Sequence, residues 1–275
     1  MANADRLLCA SHPTRERRIV AITRIAYYDR IAKQWHRVTG HHGGAFKRYV
    51  LNDCLLGKIE GIAGRSILEL GAGNGYFAPI MLRRFSGQQP ARLVISDQSQ
   101  AQLDTAQTTF LLQDAEYAQL DVQQTFPFAD ASFDLILAIM LLNELTNTAL
   151  RAALCESRRV LAPGGRLLAA VPHPAFIHAL ARKGALTDFG HGLFTMPSAE
   201  GLRLPVSRRS EQMYLDTLGA SGFAVVAEPI SADAKTLHAK PGLKLPHATP
   251  LALVFDCRVA DTSTPVPRPG GQSFS

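Results

Sequence analysis

Short apolar runs alternate with amphipathic stretches through the middle of the chain. Apolar runs of a few residues are typical of strands buried on both faces, and the stretches between them carry apolar residues at helical spacing. The pattern predicts strands over residues 66–70, 92–96, 117–120, 133–140 and 166–171, and helices over 75–85, 98–110 and 147–161. Strands that alternate with helices in this way predict a parallel, doubly wound sheet.

The second half of the chain departs from this alternation. Residues 172–207 contain prolines, glycines and three histidines with little periodicity. Long stretches of this kind are usually functional, so a lid or acceptor-pocket insertion is predicted. A helix over 211–219 and strands over 223–229 and 250–259 follow, and the connection 232–249 fits an antiparallel edge hairpin. The predicted fold class is α/β, with a doubly wound, seven-stranded sheet that is mostly parallel and has its last strand antiparallel.

Two helices are predicted before the sheet. Apolar residues recur at three- and four-residue steps from Ile22 to Trp35, which predicts an amphipathic helix over 14–36, and a second helix is predicted over 45–59. Neither belongs to a doubly wound core. The predicted organisation is a helical cap over 1–60, a main domain over 61–260 that contains the insertion, and a disordered tail over 261–275, which is rich in Pro, Gly, Ser and Thr.

A glycine-rich turn follows the first predicted strand. Gly71, Gly73 and Gly75 allow a sharp turn and a close approach of a ligand to the backbone, but their spacing is not that of a dinucleotide-binding turn. Glu69 precedes the turn, and its carboxylate would repel a pyrophosphate but suit an ammonium group. Asp97 ends the second strand, about 20 residues later, where nucleotide-binding folds place the acid that holds ribose hydroxyls. These residues predict a cationic cofactor without phosphates.

The stretch Ile67-Leu-Glu-Leu-Gly-Ala-Gly-Asn-Gly75 resembles motif I of the class I S-adenosylmethionine-dependent methyltransferases. Leu120-Asp121, the passage from Phe126 to Asp134 and the turn from Arg158 to Arg166 resemble later motifs of that family, in the same order. Tyr28-Asp-x-x-Ala-x-x-Trp35 resembles the N-terminal helix of a bacterial small-molecule subgroup. The resemblance implies a Rossmann-like fold, S-adenosyl-L-methionine as cofactor and S-adenosyl-L-homocysteine as its product.

The resemblance and the predicted strand ends together give a set of candidate cofactor-binding residues. Asp97 is expected to bind the ribose unless it only caps a helix, and Asp121 is expected to face the adenine unless it only caps a loop. The aromatic rings of Tyr28 and Trp35 could attract a sulfonium cation or simply pack the N-terminal helix. The full set is Tyr28, Trp35, Glu69, Gly71, Ala72, Gly73, Gly75, Asp97, Gln98, Asp121, Val122, Met140 and Asn143.

Three residues are candidates for acid–base chemistry. Methyl transfer mainly needs alignment of the reactants and an unprotonated nucleophile, so a histidine of near-neutral pKa is the first choice as general base. His173 at the end of the fifth strand leads, followed by His191 in the insertion, and Glu144 after the fourth strand can contact the cofactor or the acceptor. Relatives in the subgroup often have a histidine–arginine pair where this chain has Arg208-Arg209, so no role is transferred to that position.

Composition adds few constraints. Of the net charge of +6, residues 1–50 carry +7, from ten basic and three acidic residues, and the rest carries −1, from 19 against 20. This basic segment indicates either a solvated helix face or attraction of an anionic substrate or nucleic acid. Four separated cysteines predict packed thiols in a reducing compartment, and no cluster indicates a metal site. No apolar run reaches the roughly 20 residues of a membrane helix, and no secretory signal is visible, so a cytoplasmic location is expected.

The predicted function is methyl transfer from S-adenosyl-L-methionine to an oxygen or nitrogen of a small-molecule acceptor, in specialised metabolism. The predicted partner is that acceptor, with nucleic acid unlikely, no membrane, and a monomeric or homodimeric state. One alternative is an RNA or protein methyltransferase that docks its substrate through the basic N-terminal segment. Another is a non-catalytic, methyltransferase-like scaffold, and a nicotinamide dehydrogenase is disfavoured by the glycine spacing.

Overall fold

The computed structural model of the chain describes residues 15–198, 201–232 and 250–260. Helices and strands alternate as predicted through the middle of the chain. The predictions for residues 1–12, for the tail 261–275 and for nearly all of the connection 232–249 lie outside the described residues. The strands in chain order are β1 Ser66–Leu70, β2 Arg92–Asp97, β3 Ala115–Gln119, β4 Phe133–Ile139, β5 Leu161–Pro172, β6 Thr187–Gly190, β7 Leu193–Pro197, β8 Arg203–Ser207, β9 Phe223–Ile230 and β10 Ala252–Val259.

Seven of these strands form one sheet, in the order β3-β2-β1-β4-β5-β10-β9. The pairs from β3 to β5 are parallel, whereas β10 is antiparallel to both β5 and β9. The predicted fold class is thereby confirmed. The last strand lies between β5 and β9, so β9 forms the edge of the sheet.

Two helical groups cover the sheet. The helices in chain order are α1 Arg15–Thr39, α2 Gly44–Phe46, a π-helical segment Lys47–Leu51, α3 Asn52–Lys58, α4 Phe77–Arg84, α5 Gln100–Phe110, α6 Asn147–Val160, α7 Pro174–Arg182 and α8 Glu211–Ala220. Successive side chains of a strand face opposite sides. Ile67 therefore packs in the cluster that contains Phe77 of α4, and Leu68 packs in the cluster that contains Leu154 of α6. All four side chains are fully buried, which fixes the first strand and its glycine turn between two rigid layers.

The insertion 172–207 has more structure than its sequence pattern predicted. It contains α7 and a separate three-stranded antiparallel sheet, in the order β6-β7-β8. The sequence shows no clear structure there because these strands are only four or five residues long. They bury few side chains, among them Leu193 and Val206, and too few for a visible period of two.

The fifth strand also begins earlier than predicted. The Pro163-Gly164-Gly165 turn was expected to precede it, but Leu161 already pairs with Phe133, while Arg166 pairs with Leu135. The residues between Leu161 and Arg166 form an irregularity in the ladder. Proline and glycine are tolerated inside a strand at such irregularities, because the ladder hydrogen bonds are interrupted there.

Two further findings concern the predicted cell environment. Cys54 and Cys257 are free, and Cys257 is buried. The prediction of packed thiols for Cys9 lies outside the described residues. None of the helices in the described part of the chain is long and apolar enough to cross a membrane.

Candidate active site

The glycine turn after β1 adopts a backbone conformation that other residues rarely accept. Gly71, Gly73 and Gly75 have φ angles of 62°, 58° and 72°. A Cβ atom on Gly75 would lie 2.6 Å from the Cβ atom of Ala106 in α5, so the turn can only approach this helix without a side chain. A Cβ on Gly73 would lie 3.3 Å from the indole nitrogen of Trp35. The turn thus presents bare backbone on one side and packs tightly on the other.

Glu69 is a buried acid with an unsatisfied oxygen. Only 2% of the residue is exposed, and its Oε2 atom has no hydrogen-bond partner among the described residues. Burial raises the pKa of its carboxyl to about 8, and nearby Asp97 adds to the rise, while the ammonium group of Lys47 opposes it. A buried carboxyl needs a partner to stay ionised. A cationic ligand that donates hydrogen bonds would supply one.

Asp97 at the end of β2 is held firmly against the glycine turn. One carboxylate oxygen accepts the Gly73 N–H at 2.8 Å, and the other accepts the Ser99 N–H at 2.9 Å. A carboxylate offers about four acceptor positions, so this anchoring is compatible with further bonds to ligand hydroxyls. The alternative role predicted for Asp97 was to cap a helix. The cap of α5 is instead Ser99, whose hydroxyl accepts the Gln102 N–H.

A cavity of about 230 Å³ opens at the carboxyl ends of the central strands, beside the glycine turn. Ligands in open α/β sheets bind at this end. Most of the predicted cofactor-binding residues line the cavity, namely Tyr28, Trp35, Glu69, Gly71, Ala72, Gly73, Asp97, Gln98, Val122, Met140 and Asn143. Gly75 and Asp121 do not line it: Gly75 packs against α5, and Asp121 accepts the Gln123 N–H at 3.0 Å. This contact matches the alternative role predicted for Asp121, the capping of a loop.

The N-terminal helices supply an aromatic and basic wall that the motifs did not indicate in full. The rings of Tyr28 and Trp35 meet edge to face at 6.3 Å. The Lys47 ammonium lies 5.2 Å from the centre of the Trp35 ring and 4.9 Å from that of Tyr76, a typical cation–π geometry. Lys47 and Tyr76 were missed because their role arises from the packing of α1 and the π-helical segment against the glycine turn.

The side chain of Asn74 connects the N-terminal helices to the glycine turn. Its side chain is fully buried, and its amide nitrogen donates to the carbonyl oxygen of Gly40 at 2.9 Å and contacts the His36 ring nitrogen at 3.2 Å. These two contacts connect the end of α1 and Gly40 to the glycine turn. The predicted cap domain over residues 1–60 stays a prediction.

The turn after β4 brings three of the predicted residues to the cavity. Met140 has a φ of 60°, an unusual value for a residue with a side chain, and its N–H donates to Ala170 O at 2.7 Å. Backbone strain of this kind concentrates at functional sites. Asn143 is 3% exposed, and its Oδ1 atom has no hydrogen-bond partner among the described residues. Glu144 accepts a hydrogen bond of 2.6 Å from the Tyr28 hydroxyl, which joins the N-terminal helix to the β4 end.

Neither predicted histidine lines this cavity. The Nδ1 atom of His173 accepts the Ala175 N–H at 3.1 Å, so the ring caps α7, and burial lowers its pKa. His191 is exposed in the β6–β7 turn and lines a separate cavity of about 170 Å³. His173 lies at the start of α7, directly after β5, and His191 lies in a turn of the separate sheet of the insertion. Their role as general base stays a prediction. Glu144 is the predicted acid–base residue that does line the cavity.

Arg209 positions the β4 turn from behind. Its guanidinium is 5% exposed and donates to Asn147 Oδ1 at 2.7 Å, to Leu142 O at 3.2 Å, to Ser207 Oγ at 2.8 Å and to Leu145 O. The sequence comparison with relatives singled out this arginine pair without giving it a role. These contacts hold residues 142–147 in position. Among the described residues, no group of His, Cys, Asp and Glu could hold a metal ion.

Comparison with known proteins agrees with this geometry. Residues 67–165 match a family model described as a methyltransferase domain, and no curated protein matches the chain. An S-adenosylmethionine-dependent methyltransferase from Mesorhizobium loti is 19% identical with a TM-score of 0.59, over 78% of this chain and 98% of its own.

Two further solved structures are similar. A putative methyltransferase in complex with the Trm112 methyltransferase activator of Haloferax volcanii is 15% identical, with a TM-score of 0.60 over 87% of this chain and 96% of that one. The DhpI-SAM-HEP complex is 18% identical, with a TM-score of 0.60 over 87% and 97%. At these identities the likeness establishes a shared fold.

The chemistry of the cavity fits S-adenosyl-L-methionine. The unpartnered Glu69 oxygen suits its ammonium group, Asp97 suits its ribose hydroxyls, and the bare glycine backbone leaves room beside them. When bound, the cofactor supplies a methyl group activated by a sulfonium. The methyltransferase domain matched over residues 67–165, the shared fold and this fit together support a class I S-adenosylmethionine-dependent methyltransferase.

Proposed function

We propose that the enzyme methylates an oxygen or nitrogen atom of a small-molecule acceptor, within a biosynthetic pathway of specialised metabolism. The observation that carries this proposal is a second wall of the cavity, formed by residues outside the glycine turn. That wall is apolar and is built from the insertion and the strands beside it, by Pro172, Phe176, Met196, Pro197, Leu204 and Leu251.

An apolar wall of this kind suits a small molecule better than a polymer. A methylated base or side chain of a macromolecule has to enter with its chain attached, which favours an open groove. Residues of α7, β7 and β8 line this cavity, and so does Tyr28 of α1. Holding a small acceptor in line with the methyl group gives much of the rate acceleration of such a transfer.

The basic N-terminal segment supports the competing hypothesis of a macromolecular substrate. Exposed basic side chains on α1 and the π-helical segment include Arg30, Lys33, Arg37 and Arg48. One structural relative forms a complex with the Trm112 methyltransferase activator, whereas another, DhpI, forms a complex with SAM and HEP. The cavity wall favours the small acceptor, and the oligomeric state stays a prediction of monomer or homodimer.

The test is a label-transfer experiment with a bacterial extract divided by size. The purified enzyme is incubated with methyl-labelled S-adenosyl-L-methionine and either the small-molecule fraction, the RNA fraction or the protein fraction. We expect enzyme-dependent label in the small-molecule fraction, and none when Asp97→Ala enzyme is used. Label in RNA, with binding that falls steeply as salt rises, would replace the proposal by the RNA alternative. No binding of S-adenosyl-L-homocysteine would favour a scaffold.

A further inference from the structure

The acceptor side of the cavity is formed by the turn after β4 and the strand β8 that packs against it. Asn143 and Glu144 lie on this turn, and both line the cavity. The Asn143 oxygen is buried without a partner, which is costly unless a ligand donates a hydrogen bond to it. An ionised carboxylate such as that of Glu144 only accepts hydrogen bonds. The Tyr28 hydroxyl, which also lines the cavity, already donates to Glu144. This side of the cavity therefore calls for a donor.

The charges around the cavity point in the same direction. Among the described residues that line it, Glu69, Asp97 and Glu144 are acids and Lys47 is basic. S-adenosyl-L-methionine adds a sulfonium, an ammonium and a carboxylate, hence one net positive charge. With all acids ionised, the loaded cavity keeps an excess of negative charge. A like charge brought into a poorly solvated site is repelled more strongly than in water, so an anionic acceptor is disfavoured.

Apart from Ser198, the part of the insertion that lines the acceptor side is apolar. Phe176 of α7, Met196 of β7 and Leu204 of β8 line it, and none of them can form a strong hydrogen bond. Sites of this kind bind a ligand by its apolar body and orient it through a few polar groups. The body of the acceptor therefore lies on these side chains, with its polar end towards the β4 turn.

We infer that the acceptor is an apolar small molecule whose reacting hydroxyl or amine carries a proton and donates it in hydrogen bonds to Asn143 and Glu144. This inference rests on the proposed function and specifies its substrate class. In the transfer, the acceptor's lone pair forms the new bond to the methyl carbon, and the carbon–sulfur bond breaks with its electrons going to sulfur. The proton of the hydroxyl or amine passes to the Glu144 carboxylate. The sulfonium charge is thus lost, and one proton is gained by the protein.

The experiment compares four probes with one phenyl body and different head groups. Phenethylamine and 2-phenylethanol are donors, (2-methoxyethyl)benzene has no donor, and phenylacetate is an anion. Each is titrated calorimetrically into the enzyme saturated with S-adenosyl-L-homocysteine, so that binding is measured without turnover. We expect the amine and the alcohol to bind at least tenfold more tightly than the ether and the carboxylate, the difference of one or more hydrogen bonds to a charged group.

Two Glu→Gln variants separate the site from the general charge of the protein. Glu144→Gln should weaken phenethylamine about tenfold, because a charged acceptor is replaced by a neutral one. Glu211→Gln changes a half-buried acid at the start of α8, outside the cavity, and should leave all four affinities unchanged. Each variant is first checked for its thermal shift with S-adenosyl-L-homocysteine.

Each outcome decides the question. The inference would be overturned if the affinities did not differ between the head groups, if none of the four probes bound, or if phenylacetate bound more tightly than the others. An unchanged phenethylamine affinity in Glu144→Gln would overturn it as well. The probe series on the unmodified enzyme stands even if a variant fails to fold. The proposed function fails separately, through the absence of labelled small molecules in the extract experiment.

Discussion

Replacement of Glu69 by glutamine is expected to stabilise the protein and to weaken cofactor binding. The pKa of this carboxyl is raised by burial from 4.5 to about 8. A raised folded-state pKa means that the unfolded chain loses its proton first, so stability falls as pH rises from about 4.5 to about 8. This rise in pKa lowers the free energy of unfolding by roughly 5 kcal/mol above pH 8, and by roughly 3 kcal/mol at pH 7.

Glutamine has nearly the same shape and no charge, so Glu69→Gln removes this penalty. We expect its free energy of unfolding to exceed that of the unmodified enzyme by up to roughly 3 kcal/mol at pH 7, and to converge with it near pH 4. Affinity for S-adenosyl-L-homocysteine should fall roughly tenfold or more, because the bond to the ligand's ammonium loses its charge. A gain in stability at a loss of binding is typical of functional sites.

Urea unfolding across a pH series measures the first effect, and calorimetry with S-adenosyl-L-homocysteine measures the second. Glu116→Gln is the matched control, because the Arg92 guanidinium holds the pKa of Glu116 below its usual value. Its replacement should therefore lower stability slightly, with the opposite sign. A Glu69→Gln enzyme no more stable than the original at pH 8, or a difference that does not vary with pH, would refute the reasoning.

Three further substitutions test the site. Gly75→Ala should lower the free energy of unfolding by roughly 2–4 kcal/mol, because it adds a clash with Ala106 to a left-handed backbone. The control is Gly87→Ala, which has a φ of 88° and open space around it and therefore carries only the backbone cost. Equal melting temperatures of the two variants would contradict this. Tyr28→Phe removes the hydroxyl that donates to Glu144, and should lower the rate of methyl transfer, measured by label transfer, with little change in melting temperature. Arg209→Met should lower the free energy of unfolding by roughly 2–4 kcal/mol, since buried carbonyl oxygens lose their donor. The control Arg208→Met changes an exposed side chain and should lower it by under about 1 kcal/mol. Urea unfolding measures both.

The fold and the cofactor turn could be predicted from the sequence because their causes are local. A buried strand has to be apolar throughout, and a left-handed turn has to be glycine, whatever the rest of the chain does. Ser66–Leu70 and the three glycines after it follow these rules, and so do most of the strands and helices of the sheet. The insertion was underestimated because its strands are too short to impose a period.

The acceptor side was decided only by the tertiary structure. Tyr28 and Glu144 meet across 116 residues of sequence, and Lys47 reaches Trp35 and Tyr76 only when the N-terminal helices pack on the glycine turn. His173 was the better base by residue type, yet the start of α7 directly behind β5 makes it a helix cap. Residue types state which chemistry is available, but the distances that allow it are set by packing between elements far apart in the chain.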